Sequence, residues 1–303
     1  MINKRAITTL PPDLYSRNYI ISEGIRAYKK NRKIRVLDVG GRNGGMELFL
    51  DNEDELVLID IREGDEPNLI VGDATDMHMF QDNAFDIVTS GDVFEHIPIK
   101  KREQFMKECL RVSKDLVVLA APFNDTAVLK EEKEVGEFFE SLVGHRHEWL
   151  KEHLENGLPD KTLVKDFIKN KGLFFKEFFS NDLENWQLAQ LFIFYAYNFG
   201  MPKGLVENFY ATYNGAIRQC EDPSIDFYRS IFFITKKRSI DFNFSYEFEP
   251  NKKSELRQMA FELISKHSIE QIKQKETHIQ NLDKLLGAQK GQIQTLEQSV
   301  TQK

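Results

Sequence analysis

The chain has 303 residues, of which 41% are hydrophobic and 12% aromatic, enough for one large core with or without an accessory element. A formal net charge of −7 and scattered Lys and Arg residues argue against nucleic-acid binding. Two cysteines without metal-ligand spacing indicate neither a disulfide framework nor a structural zinc site. No apolar run has the length of a membrane helix or the form of a signal peptide. We therefore expect a globular, cytoplasmic protein that is not transmembrane.

Five short apolar runs rich in β-branched residues lie in the first half of the chain, and helical or turn-rich stretches separate them. Such runs are typical of parallel strands that are buried on both faces of a sheet. Helices at 46–52 and 101–113 are expected to connect the strands, and a helix at 16–31 is expected to cover the edge of the sheet. The runs are 34–39, 56–60, 68–71, 85–90 and 116–121.

After Pro122 the chain becomes strongly charged, and later it carries two further apolar runs. The sequence therefore predicts an α/β domain over residues 1–240, with a mostly parallel seven-stranded sheet and helices on both faces. The expected later elements are strands at 172–179 and 228–235, a helix at 161–171, and helical insertions at about 125–170 and 181–221.

A heptad pattern of apolar residues runs through the C-terminal part of the chain. Ile272, Ile279, Leu286, Ile293 and Val300 are spaced seven apart, and Leu282 and Leu296 follow Ile279 and Ile293 by three. This spacing gives the a and d positions of a coiled coil. We expect a linker at 241–267 and a coiled coil at 268–303 that forms a homo-oligomer. Because the heptads continue to Lys303, we expect a longer protein or a partner that completes the tail.

The most informative segment is VLDVGGRNGG at 36–45, an apolar run that leads into a glycine-rich turn. Glycines allow a tight turn and let the backbone approach a ligand without an intervening Cβ. Dinucleotide-binding proteins have a closely related loop, so this segment alone leaves two classes open. Asp60, 22 residues after Asp38, suits the hydroxyls of a ribose in either class.

Two later motifs favour one class. GDAT at 72–75 places an acid where it can accept a hydrogen bond from an adenine amine, and FDIVTSGDVFEHIP at 85–98 follows. This series of blocks resembles the class I S-adenosylmethionine-dependent methyltransferases. The resemblance implies a Rossmann-like fold, S-adenosylmethionine as the cofactor, and Ser90, Gly91 and Asp92 beside its amino-acid moiety. The other implied cofactor contacts are Gly40, Gly41, Gly44, Asp60, Asp73 and Ala74.

Two residues of the glycine turn have alternative interpretations. Arg42 stands where the family has its middle glycine, and a residue with a side chain at this position requires a negative φ or an outward side chain. Arg42 is also a candidate partner for the cofactor carboxylate. Asp38 is a candidate cofactor contact, but it could instead satisfy backbone amides, because a buried carboxylate must be hydrogen-bonded.

Three histidines are candidates for catalysis, because methyl transfer to a hydroxyl needs a base. His96, in the Glu95-His96 pair, either accepts the proton or organises the loop after the fourth strand. His145 and His147 lie in an insertion expected at the same edge of the sheet. With Glu148 they form a substrate site, a metal site or plain surface. We predict no metal site.

The sequence therefore favours methyl transfer to a hydroxyl of a small molecule or glycan. A methyltransferase domain followed by a coiled coil resembles bacterial enzymes of surface-polysaccharide synthesis. One alternative is a scaffold in which the methyltransferase fold has lost activity and the coiled coil supplies the function. A nucleotide-sugar or dinucleotide enzyme with the same sheet is the other alternative.

Overall fold

A computed structural model describes residues 7–219, 226–237, 240–241, 246–248 and 250–301. Seven strands form one sheet in the order β3-β2-β1-β4-β5-β8-β6, and β7 pairs with β9. The strands are β1 (Arg35–Val39), β2 (Glu55–Asp60), β3 (Leu69–Val71), β4 (Phe85–Gly91), β5 (Ser113–Pro122), β6 (Phe174–Asp182), β7 (Ile217–Gln219), β8 (Phe227–Thr235) and β9 (Tyr246–Phe248). The helices are α1 (Pro12–Lys29), α2 (Ile99–Val112), α3 (Thr126–Val143), α4 (Glu148–Asn156), α5 (Lys161–Asn170), α6 (Leu183–Asn198), α7 (Lys203–Gly215) and α8 (Pro250–Thr301).

The large sheet is parallel from β3 to β5, and β8 runs antiparallel to its neighbours β5 and β6. The predicted fold class, a mostly parallel seven-stranded sheet with helices on both faces, is confirmed. All seven predicted strands form, and the two predicted insertions are mainly helical, although the second also contains the short strand β7 and the last residues of β6. Residues 220–221, at the end of the second insertion, lie outside the described residues.

Each face of the sheet has its own apolar core. Because side chains alternate along a strand, Leu37 and Val39 of β1 pack in one core, whereas Val36 packs in the other. The first core includes side chains of α2 and α5, and the second includes side chains of α1. Two covered faces explain why the strands read as continuous apolar runs.

Two predicted helices differ from the structure. The helix expected at 16–31 begins earlier, at Pro12, and packs against one face of the sheet rather than its edge. Proline suits the first turn of a helix, where its missing N–H has no partner to lose. The crossover helix expected at 46–52 is only the short 3₁₀ helix Met46–Leu48. Phe49 and Leu50 pack in the same core as α1, so α1 covers the surface that a longer crossover helix would have covered.

The chain divides into two compact units, Met1–Leu256 and Arg257–Lys303. A single helix, α8, begins at Pro250, inside the range 241–267 that the sequence assigned to a linker. The predicted long C-terminal helix is confirmed. Its apolar side chains at four heptad positions are exposed, and they belong to Ile272, Ile279, Leu282 and Leu286.

Candidate active site

The strand order places a crevice at the carboxyl ends of β1 and β4. The strands β2 and β3 lie on one side of β1, and β4 and β5 lie on the other. Open parallel sheets bind ligands at such a switch point, outside the carboxyl ends of the strands. The loops that follow β1, β2, β3 and β4 therefore surround one site.

The glycine loop, residues 40–45, follows β1. Gly40 has a φ of +72°, and a Cβ added to it would lie 2.2 Å from Val93 Cγ2. A Cβ on Gly41 would lie 2.9 Å from Asp38 Oδ2. The Gly44 N–H donates to the Gly41 carbonyl at 2.9 Å and closes the turn. The loop thus needs glycine for its own packing, and it presents bare backbone of the kind that a cofactor can approach closely.

Asp38 lies beneath the glycine loop. The Thr89 hydroxyl donates a hydrogen bond to Asp38 Oδ1 at 2.8 Å. Burial raises the pKa of Asp38 to about 6, although the Thr89 hydrogen bond acts in the opposite direction. The sequence left open whether this carboxyl contacts the cofactor or satisfies backbone amides; the partner in the structure is a side-chain hydroxyl from β4.

Arg42 is not among the residues with a positive φ, whereas its neighbour Asn43, at +55°, takes the left-handed conformation. The Arg42 side chain packs against the loop after β2, where its Cδ lies 3.3 Å from the position of a Cβ on Gly64. Glu66 in the same loop accepts the Asn43 N–H at 2.7 Å. Arg42 therefore leans away from the turn, which meets both conditions for a side chain at this position.

Two predicted cofactor carboxylates follow β2 and β3. Asp60 Oδ1 accepts the N–H of Arg62 at 2.9 Å. Asp73 Oδ1 accepts the N–H of Thr75 at 2.8 Å and its hydroxyl at 2.7 Å. These hydrogen bonds, the backbone one first, hold the pKa of Asp73 below its ordinary value. Ala74 is half-buried against the core that contains α2. Both acids are thus held by their own loops.

The end of β4 carries one free hydroxyl and one paired carboxylate. Ser90 is fully buried, and its hydroxyl has no hydrogen-bond partner among the described residues. Asp92 has a φ of +55°. Its Oδ2 accepts hydrogen bonds from Nη1 of Arg17 at 2.9 Å and from Nη2 of Arg229 at 2.5 Å. Burial raises the pKa of Asp92, but the two guanidiniums hold it below its ordinary value. Gly91 lies between these two residues and has no side chain. Its carbonyl oxygen accepts a hydrogen bond from Arg17 Nη1 at 3.1 Å.

The histidine cluster comprises Glu95, His96, Glu132, Glu152 and His153, from the loop after β4 and from α3 and α4. Nε2 of His96 and Nε2 of His153 are 3.4 Å apart. Nδ1 of His96 is 2.7 Å from Glu152 Oε2, and Nδ1 of His153 is 2.9 Å from Glu132 Oε1. Each imidazole therefore has a carboxylate on its outer nitrogen and the other imidazole on its inner one.

Burial dominates the acid–base properties of the histidine cluster. Burial, and then the neighbouring His153, lower the pKa of His96. Burial, and then Asp92, raise the pKa of Glu95 well above its ordinary value. One Glu95 carboxylate oxygen is buried without a hydrogen-bond partner among the described residues. Such groups are typical of functional sites, because desolvation is tolerated where chemistry needs it.

The other two predicted catalytic histidines lie elsewhere on the insertion. His145 is exposed, and its Nδ1 is 3.2 Å from the carbonyl oxygen of Arg146. His147 packs among aromatic rings, with centroids 4.9 Å from both Phe139 and Phe194, and burial lowers its pKa. The structure thus pairs the His96 imidazole with that of His153 at hydrogen-bond distance, whereas His147 packs among aromatic rings and His145 is exposed.

Helix α4 crosses the carboxyl edge of the sheet. At its start, Glu148 Oε1 lies 3.5 Å from Nη2 of Arg62, in the loop after β2. Near its end, His153 meets His96 in the loop after β4. The insertion therefore covers the ends of β1, β2 and β4, as loops after the strands of this fold class do.

Sequence reasoning missed His153 and Arg229. His153 is 57 residues from its partner, so no local spacing joins them, although its neighbour Glu152 repeats the Glu-His order of Glu95 and His96. Arg229 sits in an apolar strand and is fully buried. A charged residue within such a run was the available signal, since a buried charge requires a partner.

A family model described as a methyltransferase domain matches residues 37–120, from β1 to β5. The chain contains a methyltransferase domain. The glycine loop, Asp60 and Asp73 lie where the family resemblance implies contacts with S-adenosylmethionine. No curated protein matches the sequence. In the part of the chain that the structure describes, no helix is long and apolar enough to cross a membrane.

Solved structures with a similar fold share little sequence with this chain. The YcgJ protein of Bacillus subtilis is 15% identical, with a TM-score of 0.42 over 72% of this chain and 99% of that one. A SAM-dependent methyltransferase from Archaeoglobus fulgidus is 15% identical, with a TM-score of 0.42 over 72% and 94%. The magnesium protoporphyrin IX methyltransferase of Synechocystis, solved with bound SAH, is 11% identical, with a TM-score of 0.42 over 74% and 86%.

Proposed function

We propose that this protein transfers the methyl group of S-adenosylmethionine to a hydroxyl of a small molecule or a glycan. The observation that carries the proposal is the histidine cluster at the carboxyl end of β4. An imidazole whose Nδ1 lies against a carboxylate can carry its proton there and present Nε2 as a proton acceptor, which is the property that deprotonation of a hydroxyl requires. Amine acceptors have a lone pair of their own and need no such group.

The proposed cofactor site consists of the glycine loop and the acids after β2 and β3. Asp60 would accept the ribose hydroxyls, and Asp73 would accept the adenine amine. Ser90, with its unpartnered hydroxyl, would lie near the amino-acid moiety together with Asp92 and Gly91. When bound, S-adenosylmethionine supplies an electrophilic methyl group on its sulfonium.

We assign the proposed proton acceptor to His96. Glu152 holds its Nδ1 at 2.7 Å and fixes the ring, so that Nε2 is the atom available to a substrate proton. The Asn156 side chain donates to the His96 carbonyl at 3.0 Å and holds the loop in place. His145 and His147 keep only a proposed role in lining the acceptor pocket.

A transfer assay with methyl-labelled S-adenosylmethionine tests this function on hydroxylated small compounds and on bacterial glycans with free hydroxyls. We expect label on an oxygen of the acceptor, and His96→Ala should lower kcat by about 10²-fold or more. His78→Ala is the matched control, because that ring is exposed on the loop after β3. Label on nitrogen or carbon contradicts the proposal. Cofactor binding without transfer to any acceptor supports the inactive scaffold instead.

We also propose that residues 268–303 form a coiled coil between copies of this chain. Ile272, Ile279, Leu282 and Leu286 are between 45% and 57% exposed along one helix. Burial of such a stripe against a second copy is the usual reason for a heptad repeat. We further propose that the methyltransferase domain ends at residue 240 and the linker at residue 267. A cytoplasmic location and a role in polysaccharide synthesis are also part of the proposed function.

Sedimentation of the full chain tests the self-association. We expect a multimer whose mass falls to that of a monomer in the Ile279→Glu/Leu286→Glu variant, since two charges at a positions oppose pairing. Leu285→Glu is the matched control, because Leu285 is also exposed but lies outside the a and d positions. A monomeric wild-type chain, or equal masses for all three chains, contradicts the coiled coil.

A further inference from the structure

Two imidazole nitrogens, Nε2 of His96 and Nε2 of His153, face each other in the histidine cluster. Each Nδ1 is within 2.9 Å of a carboxylate oxygen, of Glu152 for His96 and of Glu132 for His153. A carboxylate only accepts hydrogen bonds, so His153 carries its proton on Nδ1 and presents a lone pair at Nε2. A proton on Nδ1 of His96, which lies against Glu152 outside hydrogen-bond geometry, would present a second lone pair at the Nε2 of His96. The two Nε2 atoms are 3.4 Å apart. Two lone pairs at this distance repel unless a positive charge lies between them.

A third ligand atom is available at the same place. Oxygen from Glu95 and the ring nitrogens of His96 and His153 all lie within 4.8 Å of one another. Glu95 is 1% exposed, and its Oε2 is buried without a partner among the described residues. An unpartnered buried carboxylate is costly, and a cation is one of the few groups that removes the cost.

The separation of the two imidazole nitrogens fits a small tetrahedral ion, and the Glu95 oxygen lies within 4.8 Å of them. With zinc–nitrogen bonds of about 2.05 Å, two ligands of a tetrahedral site are about 3.35 Å apart. The observed separation of the two Nε2 atoms is 3.4 Å. Two histidines and one glutamate are also a known ligand set of zinc sites that keep a fourth position open.

The surroundings hold these ligands in place. Histidines that bind metals commonly donate their other ring N–H to a carboxylate, which fixes the ring and makes it more basic. Glu132 is itself fixed by the Tyr228 hydroxyl, which donates to it at 2.9 Å. Arg102 ties the two backbone segments together, since it donates to the carbonyls of Glu95, at 3.2 Å, and of Gly157, just after α4.

We propose that Glu95, His96 and His153 form a binding site for a divalent metal ion of the zinc type, with Glu132 and Glu152 orienting the two imidazoles. The fourth position is open to an oxygen ligand. If the acceptor is a hydroxyl, which rests on the proposed function, its oxygen binds there and its pKa falls, so that in the metal-bound chain the ion replaces His96 Nε2 as the group that promotes deprotonation. The O–H bond then breaks, the proton passes to water, and the oxygen keeps the electron pair.

Titration of the untagged full-length protein with zinc, in competition with a chromophoric chelator, tests the site without cofactor or acceptor. We expect one zinc ion per chain, and an affinity that falls by more than about 100-fold in His153→Ala and by about 10–100-fold in Glu132→Gln. His78→Ala is the matched control, an exposed histidine outside the histidine cluster, and should bind as the wild type does. Thermal unfolding of each variant identifies any that fails to fold.

Cobalt(II) gives a second measurement, which depends on geometry rather than affinity. The wild-type chain should show the intense visible absorption of four-coordinate cobalt, and Glu95→Gln should change that spectrum while its His ligands remain. Failure of the wild type to bind either ion, or equal affinity in folded His153→Ala, overturns the metal site and leaves a shared proton between the imidazoles. Both readouts are independent of methyl transfer, so a metal site without activity contradicts only the proposed function.

Discussion

The glycine loop and the histidine cluster lie at the same edge of the sheet but are built in different ways. The glycine loop comes from six consecutive residues, and its neighbours Asp38 and Asp73 have hydrogen-bond partners close in sequence or on the adjacent strand. The histidine cluster draws on three separate segments, and it retains a carboxylate oxygen of Glu95 without a partner. Backbone geometry thus determines the first region, and tertiary packing determines the second.

The difference has an energetic consequence. A loop whose turn is closed by its own backbone hydrogen bonds can keep its shape whether or not a ligand is present. A cluster with closely facing imidazoles and an unpartnered carboxylate oxygen is stable only because the rest of the fold compensates for it. Buried ion pairs beside the histidine cluster, above all that of Arg229 with Asp92, supply part of this compensation.

The largest effect is expected for Arg229→Met. The fully buried guanidinium donates to both oxygens of Asp92 at 2.5 Å and to Asp13 at 2.9 Å. Its loss leaves buried carboxylates without one partner and should lower the free energy of unfolding by about 3–5 kcal/mol. Urea unfolding measures this change. Arg146→Met, which removes an exposed pair at 3.6 Å, should change it by less than about 1 kcal/mol; a similar effect of both variants would contradict the account.

The next effect is expected in the glycine loop, for Gly40→Ala. The left-handed backbone at this position should lower the free energy of unfolding of the alanine variant by about 1–2 kcal/mol. The close contact of the new Cβ with Val93 should lower it by a further about 1–3 kcal/mol. Gly45→Ala has a similar φ, +66°, but the nearest atom to its Cβ is 3.8 Å away, so only the backbone contribution applies. In thermal unfolding, Gly40→Ala should have a lower melting temperature than Gly45→Ala. Equal losses would show that the loop is not closely packed against Val93.

A smaller, pH-dependent effect is expected for Asp38. In the native chain its pKa is about 6, against an ordinary value of 3.8, so between these pH values the native state binds more protons than the unfolded one. The free energy of unfolding should therefore fall by on the order of 2 kcal/mol as pH rises from 4 to 6. This pH-dependent decrease should be absent in Asp38→Asn. Urea unfolding at several pH values gives the difference. Asp76→Asn, at an exposed carboxyl, should follow the wild type; a parallel curve for Asp38→Asn would contradict the burial argument.

The fold and the cofactor side of the site could be predicted from sequence because their signals are local. Strand periodicity and the segments 36–45 and 72–75 each lie within a few consecutive residues. The crossover helix at 46–52 was wrong because α1, far away in sequence, covers that surface. His153 and Arg229 were missed because their partners are 57 and 137 residues away, and no alignment-free pattern joins such positions.

The central claim is that the glycine loop and the acids beside it bind S-adenosylmethionine, and calorimetry with the wild type and Asp60→Asn tests it most directly. We expect the wild type to bind S-adenosylmethionine and Asp60→Asn to bind it at least about tenfold more weakly, because a hydrogen bond to a charged group contributes about 1.5–3 kcal/mol. Glu63→Gln, at an exposed carboxyl three residues away, should bind as tightly as the wild type. No binding by the wild type, or equal affinity in Asp60→Asn, would contradict the account.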